Sequence, residues 1–526
     1  MRASPLVLGL LAILLTMTSG AVRSQEAQTE LAYQASVHQG PEALRAFLTD
    51  FPKGADLHVH LSGAVYAETL MREAGQDGLC VDPVALSITK PPCTGYLLPA
   101  VALSGTLDPA SRVLYDKLID SLSMRHHVQH TNFGGHEHFF STFTKFAAVS
   151  SSHIGEWVDE VAARAAGQNQ QYLELMETPA FGKVAQIGQT LDGLPELQVH
   201  DDPAFANFRQ ALLDHGLRDE IAAGRDHVLL AEANRRQREN CSTAQAAPAC
   251  GVETRYIYQL LRGADPQRVF AQALLGFETV AASMKARDDT WVGINFVMPE
   301  DGFISMRDYT LHMRMFNYLH SIYPQVHISL HAGELAEGLV SPEGLRFHIR
   351  QSPELGHAER IGHGVDVMQE EDAPGLLREL ADRHVMIEIN LSSNADILGV
   401  AGVRHPFPQY RAAHVPVALS TDDEGVSRID ITHEYARAAL DYRLSYRDLK
   451  QLARTGMEHD FLPGPSLWAE PDDYRRSVRA CAGQTAGGKA PSANCTAFLS
   501  RSEKASAQWE LERRFNVFEA KFAPVP

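Results

Sequence analysis

The segment Val326–Glu334 has the sequence VHISLHAGE, and the prediction of the fold starts from its pattern. Apolar residues alternate with other residues over its first half, and a period of two predicts a β-strand. His331 and Glu334 follow, so an imidazole and a carboxyl group stand at the carboxyl end of this strand. Imidazole is a ligand of first-row metal ions, and a nearby carboxyl group can transfer protons. The stretch alone is equally compatible with a strand followed by a polar turn.

Three further strand-like segments carry matching polar residues at their carboxyl ends. In ADLHVHL two histidines stand two residues apart, which places both side chains on one face of a strand. Such a pair can bind a metal ion, although an edge strand with two solvated histidines has the same pattern. The segments with their polar residues are Ala55–Leu61 with His58 and His60, Arg360–Val365 with His363, and Val415–Thr421, which is followed by Asp422 and Asp423.

Strand-like and helical segments alternate along most of the chain, which predicts a parallel α/β sheet. Eight strand-like segments favour a closed (β/α)8 TIM barrel, whose active site lies at the carboxyl ends of the strands. In such a barrel the polar residues converge on one mouth although they are far apart in sequence. The segments are Ala55–Leu61, Gln171–Glu177, Thr254–Leu261, Trp291–Met298, Val326–Leu330, Arg360–Val365, Val385–Leu391 and Val415–Thr421.

The chain has 526 residues, 44% of them hydrophobic, and is long enough to bury a large core. We expect a signal peptide at residues 1–24, an N-terminal helical arm at 25–52, and a barrel at 53–526 that ends in a C-terminal helical extension. Helical insertions are expected at about 75–130 and 180–250, where the chain departs from simple strand–helix alternation.

The first residues have the pattern of a secretory signal peptide. Arg2 provides a positive charge, and the apolar run Pro5–Met17 is too short to favour a membrane span. We therefore expect a periplasmic or secreted protein without a stable membrane anchor once the signal is removed. With 47 Lys and Arg against 65 Asp and Glu, the net charge of −18 argues against nucleic acid as a partner.

Six cysteines fit an exported protein, because disulfides form in oxidising compartments. They fall as three pairs of near neighbours in loops rich in small residues and proline, which favours local pairing. Six cysteines allow fifteen pairings, so local pairing is a hypothesis. The expected pairs are Cys80–Cys93, Cys241–Cys250 and Cys481–Cys495.

The polar residues at the strand ends have the composition of a hydrolytic metal site. Three histidines and an aspartate hold Zn²⁺ well and leave one position for water. A metal ion lowers the pKa of its water toward neutrality, so the water becomes a usable nucleophile. Glu334 and His363 are then candidates for moving protons.

Four motifs in the chain resemble those of the adenosine/AMP deaminase family of metal-dependent amidohydrolases. They are HVHLSGA at His58–Ala64, SLHAGE at Ser329–Glu334, RIGHGVD at Arg360–Asp366 and STDD at Ser420–Asp423. LHAGE is similar to the adenosine branch of the family. The signal peptide, the N-terminal arm and the cysteine-bearing insertions are similar to those of the secreted adenosine-deaminase-related growth factors. The resemblance spans roughly residues 53–460.

This resemblance implies an exported, zinc-dependent enzyme that deaminates adenosine, and 2′-deoxyadenosine, to the inosine product and ammonia. One Zn²⁺ per chain would be held by His58, His60, His331 and Asp422. The partner would be a small-molecule purine nucleoside, and a homodimer is one assembly that we consider.

The family's catalytic roles carry over to residues at matching positions. Glu334 would protonate purine N1 and make C6 electrophilic. His363 would orient the attacking hydroxide and stabilise the charge that develops, while Asp422 would help to take the proton of the water. Asp423 would contact purine N7, and His60 would lie beside the substrate as well as the metal.

Two positions depart from the family pattern. Ser62 stands where the family often has Asp near the ribose 5′-hydroxyl, and Met298 stands where it often has Gly, whose N–H faces purine N3. Both departures leave the metal site intact and bear on the substrate. The alternatives are a deaminase of another aminopurine or another mononuclear amidohydrolase, and a non-catalytic exported binding or signalling protein on the same barrel.

Overall fold

Eight strands form one sheet in which each strand pairs in parallel with the next along the chain. A computed structural model describes residues 25–105, 108–128, 133–149, 151–179, 181–191, 202–288 and 290–523, so the expected signal peptide lies outside the described residues. The strands are β1 (Gly54–His60), β2 (Gln170–Glu177), β3 (Glu253–Leu261), β4 (Trp291–Val297), β5 (His327–Ala332), β6 (Arg360–His363), β7 (Met386–Ile389) and β8 (Val417–Leu419).

The first strand closes the sheet against the residues that follow the last strand. Val59 and Asp422 form a parallel bridge. The Asp422 N–H donates to the carbonyl of His58 at 2.9 Å, and the His60 N–H donates to the carbonyl of Asp422 at 3.2 Å. The predicted (β/α)8 barrel is therefore confirmed, and the carboxyl ends of its strands meet at one mouth.

Helices follow every strand and cover the barrel from outside. After β1 come Leu61–Ala64, Ala67–Gln76, Pro109–Ser121, Gly134–Phe146 and Ile154–Gly167; after β2, Phe181–Thr190, Asp202–Leu212 and Arg218–Arg238; after β3, Pro266–Ala286; after β4, Phe303–Ile322; after β5, His348–Glu354; after β6, Ala373–Asp382; after β7, Leu391–Leu398 and Phe407–Ala412; and after β8, Glu424–Ser427, Ile431–Tyr442, Tyr446–Glu458, Ala493–Leu499 and Glu503–Ala520.

Local capping chemistry explains where several of these helices begin. The carboxylate of Asp265 accepts the N–H of Arg268, and a proline occupies the first turn of that helix, where a missing N–H costs nothing. Ser445 and Asp448 form a reciprocal capping box at the start of Tyr446–Glu458. These short signals define helix starts in the sequence before any tertiary contact is made.

The N-terminal arm consists of a helix at residues 25–39 and a second helix, Pro41–Asp50. Leu44 and Leu48 of the second helix are fully buried. The Tyr33 hydroxyl of the first helix donates to the carbonyl of Leu444 at 2.8 Å, which joins the arm to the segment after β8. The arm is thus packed into the main hydrophobic core.

Three disulfides close short loops outside the barrel, and the expected pairing is confirmed. Cys80–Cys93 lies beside a small antiparallel sheet after β1, Cys241–Cys250 follows the helix Arg218–Arg238, and Cys481–Cys495 lies in the C-terminal segment. Among the described residues, no helix has the length and apolar character needed to cross a membrane.

An ion-pair chain crosses the interior of the barrel. The Arg360 Nε donates to Glu388 Oε1 at 2.7 Å, and the same guanidinium pairs with Glu174; all three side chains have 0% exposure. Glu174 lies on β2 and Arg360 on β6, and three strands separate them in either direction around the barrel. Their contact therefore runs through the interior, and Glu388 extends it toward the mouth.

The C-terminal disulfide gives a test of loop stabilisation. Replacing Cys481→Ser and Cys495→Ser together is expected to lower the free energy of unfolding by about 2–3 kcal/mol, because the closed loop restricts the unfolded chain. Thermal and denaturant unfolding of the purified mature protein would measure it. Adding a thiol reductant to the wild type serves as the matched comparison, and unchanged unfolding of the double variant would contradict the expectation.

Candidate active site

Five side chains meet at the barrel mouth. One ring nitrogen each of His58, His331 and His363 and an Asp422 oxygen all lie within 4.8 Å of one another, and every one of these residues is buried. The Nε2 of His60 lies 3.2 Å from the Nε2 of His331 and 3.3 Å from Asp422 Oδ1. Strands β1, β5 and β6 and the turn after β8 supply these groups, as expected for a TIM-barrel site.

The other ring nitrogen of three of these histidines is bound to an oxygen. His58 Nδ1 contacts Glu388 Oε2 at 2.6 Å, His60 Nδ1 contacts Gln259 Oε1 at 2.6 Å, and His331 Nδ1 contacts Asn295 Oδ1 at 2.8 Å. The ionised Glu388 carboxylate has no hydrogen to donate, so it accepts the hydrogen bond from His58. The Asn295 oxygen is identified by the backbone N–H of His331, which donates to it at 3.0 Å.

These contacts place a proton on Nδ1 of each ring, so the neutral form of each ring has its lone pair on Nε2. The Nε2 atoms of His60 and His331 then face each other at 3.2 Å as two acceptors, which repel. The Nε2 of His58 is buried without a hydrogen-bond partner and lies 3.5 Å from Asp422 Oδ1. A divalent cation among these atoms would satisfy all of them, so the donor set fits a metal ion.

Burial keeps two of these rings neutral, as ligands must be. It lowers the pKa of His60 to about 4. Burial also lowers the pKa of His331 well below its usual range, and the neighbouring histidines act in the same direction. A neutral imidazole is the form that coordinates a metal ion.

Glu334 follows β5 and faces His363, with Oε1 at 3.8 Å from the His363 Nδ1. Burial, followed by the charges of Asp422 and Glu300, raises the pKa of Glu334 well above its usual range, so its carboxyl group favours the protonated form. The backbone is held by Glu300, whose carboxylate accepts the Gly333 N–H at 3.0 Å and the Glu334 N–H at 2.9 Å. Sequence patterns did not single out Glu300, because it lies in an irregular turn after β4.

Asp423 completes the set and points into a space that a glycine leaves open. Its Oδ1 is buried without a hydrogen-bond partner. A Cβ on Gly63 would lie 1.6 Å from that oxygen, so only glycine allows this approach. Burial and the adjacent Asp422 raise the pKa of Asp423 well above its usual range, which favours a protonated carboxyl group.

The backbone is in the left-handed region at several of these strand ends. The φ angles are 73° at His363, 61° at Asp422 and 88° at Met298. Such angles cost non-glycine residues free energy and cluster at functional sites. Met298 occupies the position where glycine was expected, and its side chain is 39% exposed and lies beside Gly263.

All seven residues selected from the sequence lie together in this site. They are His58, His60, His331, Glu334, His363, Asp422 and Asp423. The residues that orient them were missed: Gln259, Asn295, Glu300 and Glu388. Glu388 had a visible signal, since it is the single charged residue of the apolar segment VMIEINL.

Comparisons with known proteins agree with the site. The family model described as adenosine deaminase matches residues 237–467 of the chain. The match covers less than half of the chain, so it shows a resemblance to that family over this range. The matched range contains His331, Glu334, His363 and both aspartates, while His58 and His60 precede it.

Curated adenosine deaminases match the chain over a limited stretch. An adenosine deaminase of Klebsiella pneumoniae (strain 342) is 40% identical over 137 residues, which cover 26% of this chain and 38% of that protein. An adenosine deaminase of Escherichia coli (strain SE11) is 39% identical over 137 residues, with the same coverage of 26% and 38%. The chain thus spans 38% of the length of these relatives.

Solved structures with a similar chain trace include two deaminases. The adenine deaminase of Arthrobacter aurescens is 17% identical with a TM-score of 0.48, and the match covers 78% of this chain and 94% of that one. The N6-methyl-AMP deaminase of Arabidopsis thaliana is 18% identical with a TM-score of 0.48 and coverage of 80% and 94%. The barrel fold of this chain is established by its own strand order.

The metal site predicts the effect of removing one ligand candidate. His331→Ala should abolish stoichiometric metal binding, because it removes one of three Nε2 atoms that face the same point. Elemental analysis of the purified protein would measure the bound metal. His312→Ala is the matched control, since His312 is a fully buried histidine on Phe303–Ile322 and outside the cluster. A full equivalent of metal in His331→Ala would remove that residue from the site.

Proposed function

We propose that this protein is an exported, zinc-dependent adenosine deaminase that converts adenosine and 2′-deoxyadenosine to the inosine products and ammonia. The observation that carries the proposal is the set of Nε2 lone pairs of His58, His60 and His331 around Asp422, next to a protonated Glu334. A binding protein has no need for such a proton-transfer group beside a metal site. The match of residues 237–467 to the adenosine deaminase family model supports the reaction class.

One Zn²⁺ would be held by His58, His60, His331 and Asp422, and when bound it would supply an activated water and neutralise developing negative charge. These four residues offer three ring nitrogens and one carboxylate, which is a donor set that zinc accepts with one position open. Their orientation is set before binding by Glu388, Gln259 and Asn295, so little reorganisation is needed.

Proton transfer would be performed by Glu334. Its buried, protonated carboxyl group would donate to purine N1, which draws electrons from C6 and makes that carbon electrophilic. The two hydrogen bonds from the Gly333 and Glu334 N–H groups to Glu300 hold the backbone from which this side chain extends. A fixed donor reacts without a search for the correct geometry.

The remaining polar groups would orient the water and the purine. The Nε2 of His363 lies 3.8 Å from Asp422 Oδ2, so an attacking water beside these two atoms can contact both. Asp422 would take the proton of that water. The unpartnered Oδ1 of Asp423 would bind purine N7, and the raised pKa of its carboxyl group makes it a donor to that nitrogen. Asp422 would then return the proton of the water to the leaving amine, which departs as ammonia, while the new C6 hydroxyl would lose its proton to Glu334 and become the carbonyl of the product.

Export is part of the proposal. Three disulfides support an oxidising compartment, since cytosolic thiols are kept reduced. The apolar stretch Pro5–Met17 behind Arg2 supports a cleaved signal peptide. N-terminal sequencing of the protein recovered from outside the cytoplasm would identify the cleavage point.

Substrate and metal can be tested together. The mature protein is expected to deaminate adenosine and 2′-deoxyadenosine, followed by the change in ultraviolet absorbance, and a chelator should remove at least about 90% of the rate because the nucleophile depends on the metal. Adenine and AMP are the matched alternatives in the same panel. If only AMP or adenine is turned over, that compound is the substrate and adenosine is not. If metal-loaded protein turns over none of the four compounds, the proposed activity is contradicted.

Glu334→Gln should separate chemistry from metal binding. The amide cannot protonate purine N1, so kcat is expected to fall by about 10²–10⁴-fold while the metal content stays at one equivalent. Steady-state kinetics and elemental analysis measure the two effects. Glu370→Gln is the matched control, because Glu370 is another buried carboxyl group, with a pKa raised by burial to about 7, that accepts backbone N–H groups elsewhere. Near-normal turnover by Glu334→Gln would remove it from the mechanism.

A further inference from the structure

His363 stands at the end of a hydrogen-bond chain that begins at a backbone N–H. The Phe407 N–H donates to His405 Nδ1 at 3.1 Å. His405 Nε2 contacts Asn394 Oδ1 at 2.9 Å, and Asn394 Nδ2 contacts His363 Nδ1 at 2.9 Å. The side chains of His405, Asn394 and His363 are fully buried. Because these side chains are buried, each polar atom named here obtains its hydrogen bond from the next residue in the series.

The direction of every bond in the chain follows from its first donor. A backbone N–H can only donate, so His405 Nδ1 is an acceptor and the ring proton is on Nε2. That Nε2–H donates to the oxygen of Asn394, which turns the amide nitrogen toward His363. The Asn394 amide donates to His363 Nδ1, so a neutral His363 carries its proton on Nε2.

His405 is suited to this role because it remains neutral. Burial lowers its pKa to about 3, and the charge of Arg437 acts in the same direction. A second proton on His405 would replace the acceptor that the Phe407 N–H needs, which the geometry excludes. The chain thus has one proton arrangement.

His363 differs in this respect from the other three histidines of the site. His58, His60 and His331 carry their protons on Nδ1 and turn Nε2 lone pairs toward the centre. His363 accepts at Nδ1 and turns an Nε2–H toward Asp422 Oδ2, at 3.8 Å. A protonated ring nitrogen cannot bind a cation, although His363 lies within the same cluster.

We propose that Asn394 and His405 are positioning residues that hold His363 with its proton on Nε2, so that His363 donates a hydrogen bond to the attacking water and stays out of the metal's ligand set. This proposal rests on the proposed deaminase function. It assigns a task to one residue on the helix Leu391–Leu398 and one in the turn before Phe407–Ala412, and both act through His363.

Asn394→Asp removes the donor in the hydrogen bond between residue 394 and His363 while the side chain keeps nearly the same size. The carboxylate can still accept from His405 Nε2–H but can no longer donate to His363, so it favours a proton on Nδ1 of that ring. We expect kcat to fall by about 10²–10⁴-fold, as for a histidine held in the wrong tautomer, with KM changed by less than about threefold. A kcat within twofold of the wild type would overturn the proposal.

Asn317→Asp is the matched control. The Asn317 amide oxygen accepts from His357 Nε2 at 2.8 Å, so this variant makes the same chemical change beside another histidine and outside the barrel mouth. Its kcat should match the wild type. An equal loss of kcat in both variants would show that the new charge acts nonspecifically, and would overturn the assignment.

The tautomer can also be read without any turnover. In protein with ¹⁵N-labelled histidine, NMR should show a protonated Nε2 and a bare Nδ1 for His363, assigned by its loss in His363→Gln, and the reverse in Asn394→Asp. A wild-type His363 with the proton on Nδ1 would overturn the proposal. A protonated Nε2 in a protein that deaminates no aminopurine would count against the proposed function alone.

If Asn394→Asp does not fold, variants at His405 test the same series of hydrogen bonds. Gln can place an N–H near the His405 Nε2 position, whereas Phe keeps the ring shape and donates nothing. We expect His405→Gln to retain a higher kcat than His405→Phe, with equal metal content in both by elemental analysis. Equal kcat values in two folded variants would remove His405 from the proposal.

Discussion

The carboxylate of Glu388 is the group on which both the barrel interior and the site depend. It lies in the closed interior of the barrel and accepts from Arg360, from the Ser329 hydroxyl at 2.9 Å and from His58 Nδ1. Burial would raise its pKa, but Arg360 and His58 lower it to about 2, so the charge persists. A buried charge is tolerated only when it is fully paired, and here the pairing orients His58.

The hydrogen-bond partner of each histidine in the site determines whether its other ring nitrogen can bind a metal ion or donate a hydrogen bond. Three of them face an acceptor on another strand: Glu388, Gln259 or Asn295. His363 faces a donor, the amide of Asn394. Because a neutral imidazole has one donor and one acceptor, a neighbour on one nitrogen determines what the other nitrogen can do. The same side chain can therefore bind a cation or donate a hydrogen bond.

The hydrogen bonds that close the barrel offset the free-energy cost of strained backbone at its mouth. Asp422 has a left-handed φ of 61°, yet both of its peptide groups bond to β1. Gly333 adopts φ of 76°, and a Cβ there would lie 2.5 Å from an Asp366 oxygen, so glycine is required. Strained residues of this kind cost about 1–3 kcal/mol each and persist where surrounding contacts over-determine them. The strain turns the side chains of the strand ends inward.

The eight strands and the polar residues at their ends could be predicted from the sequence, and local cysteine pairing could be favoured, because strand period and loop composition are local properties. Hence His331 and Glu334 could be selected in advance. Glu300 could not, because one acidic residue in an irregular turn has no periodic signal. Only the tertiary structure decided which nitrogen of His363 and His58 faces the site, since Asn394 and Glu388 come from distant segments that meet only in the closed barrel.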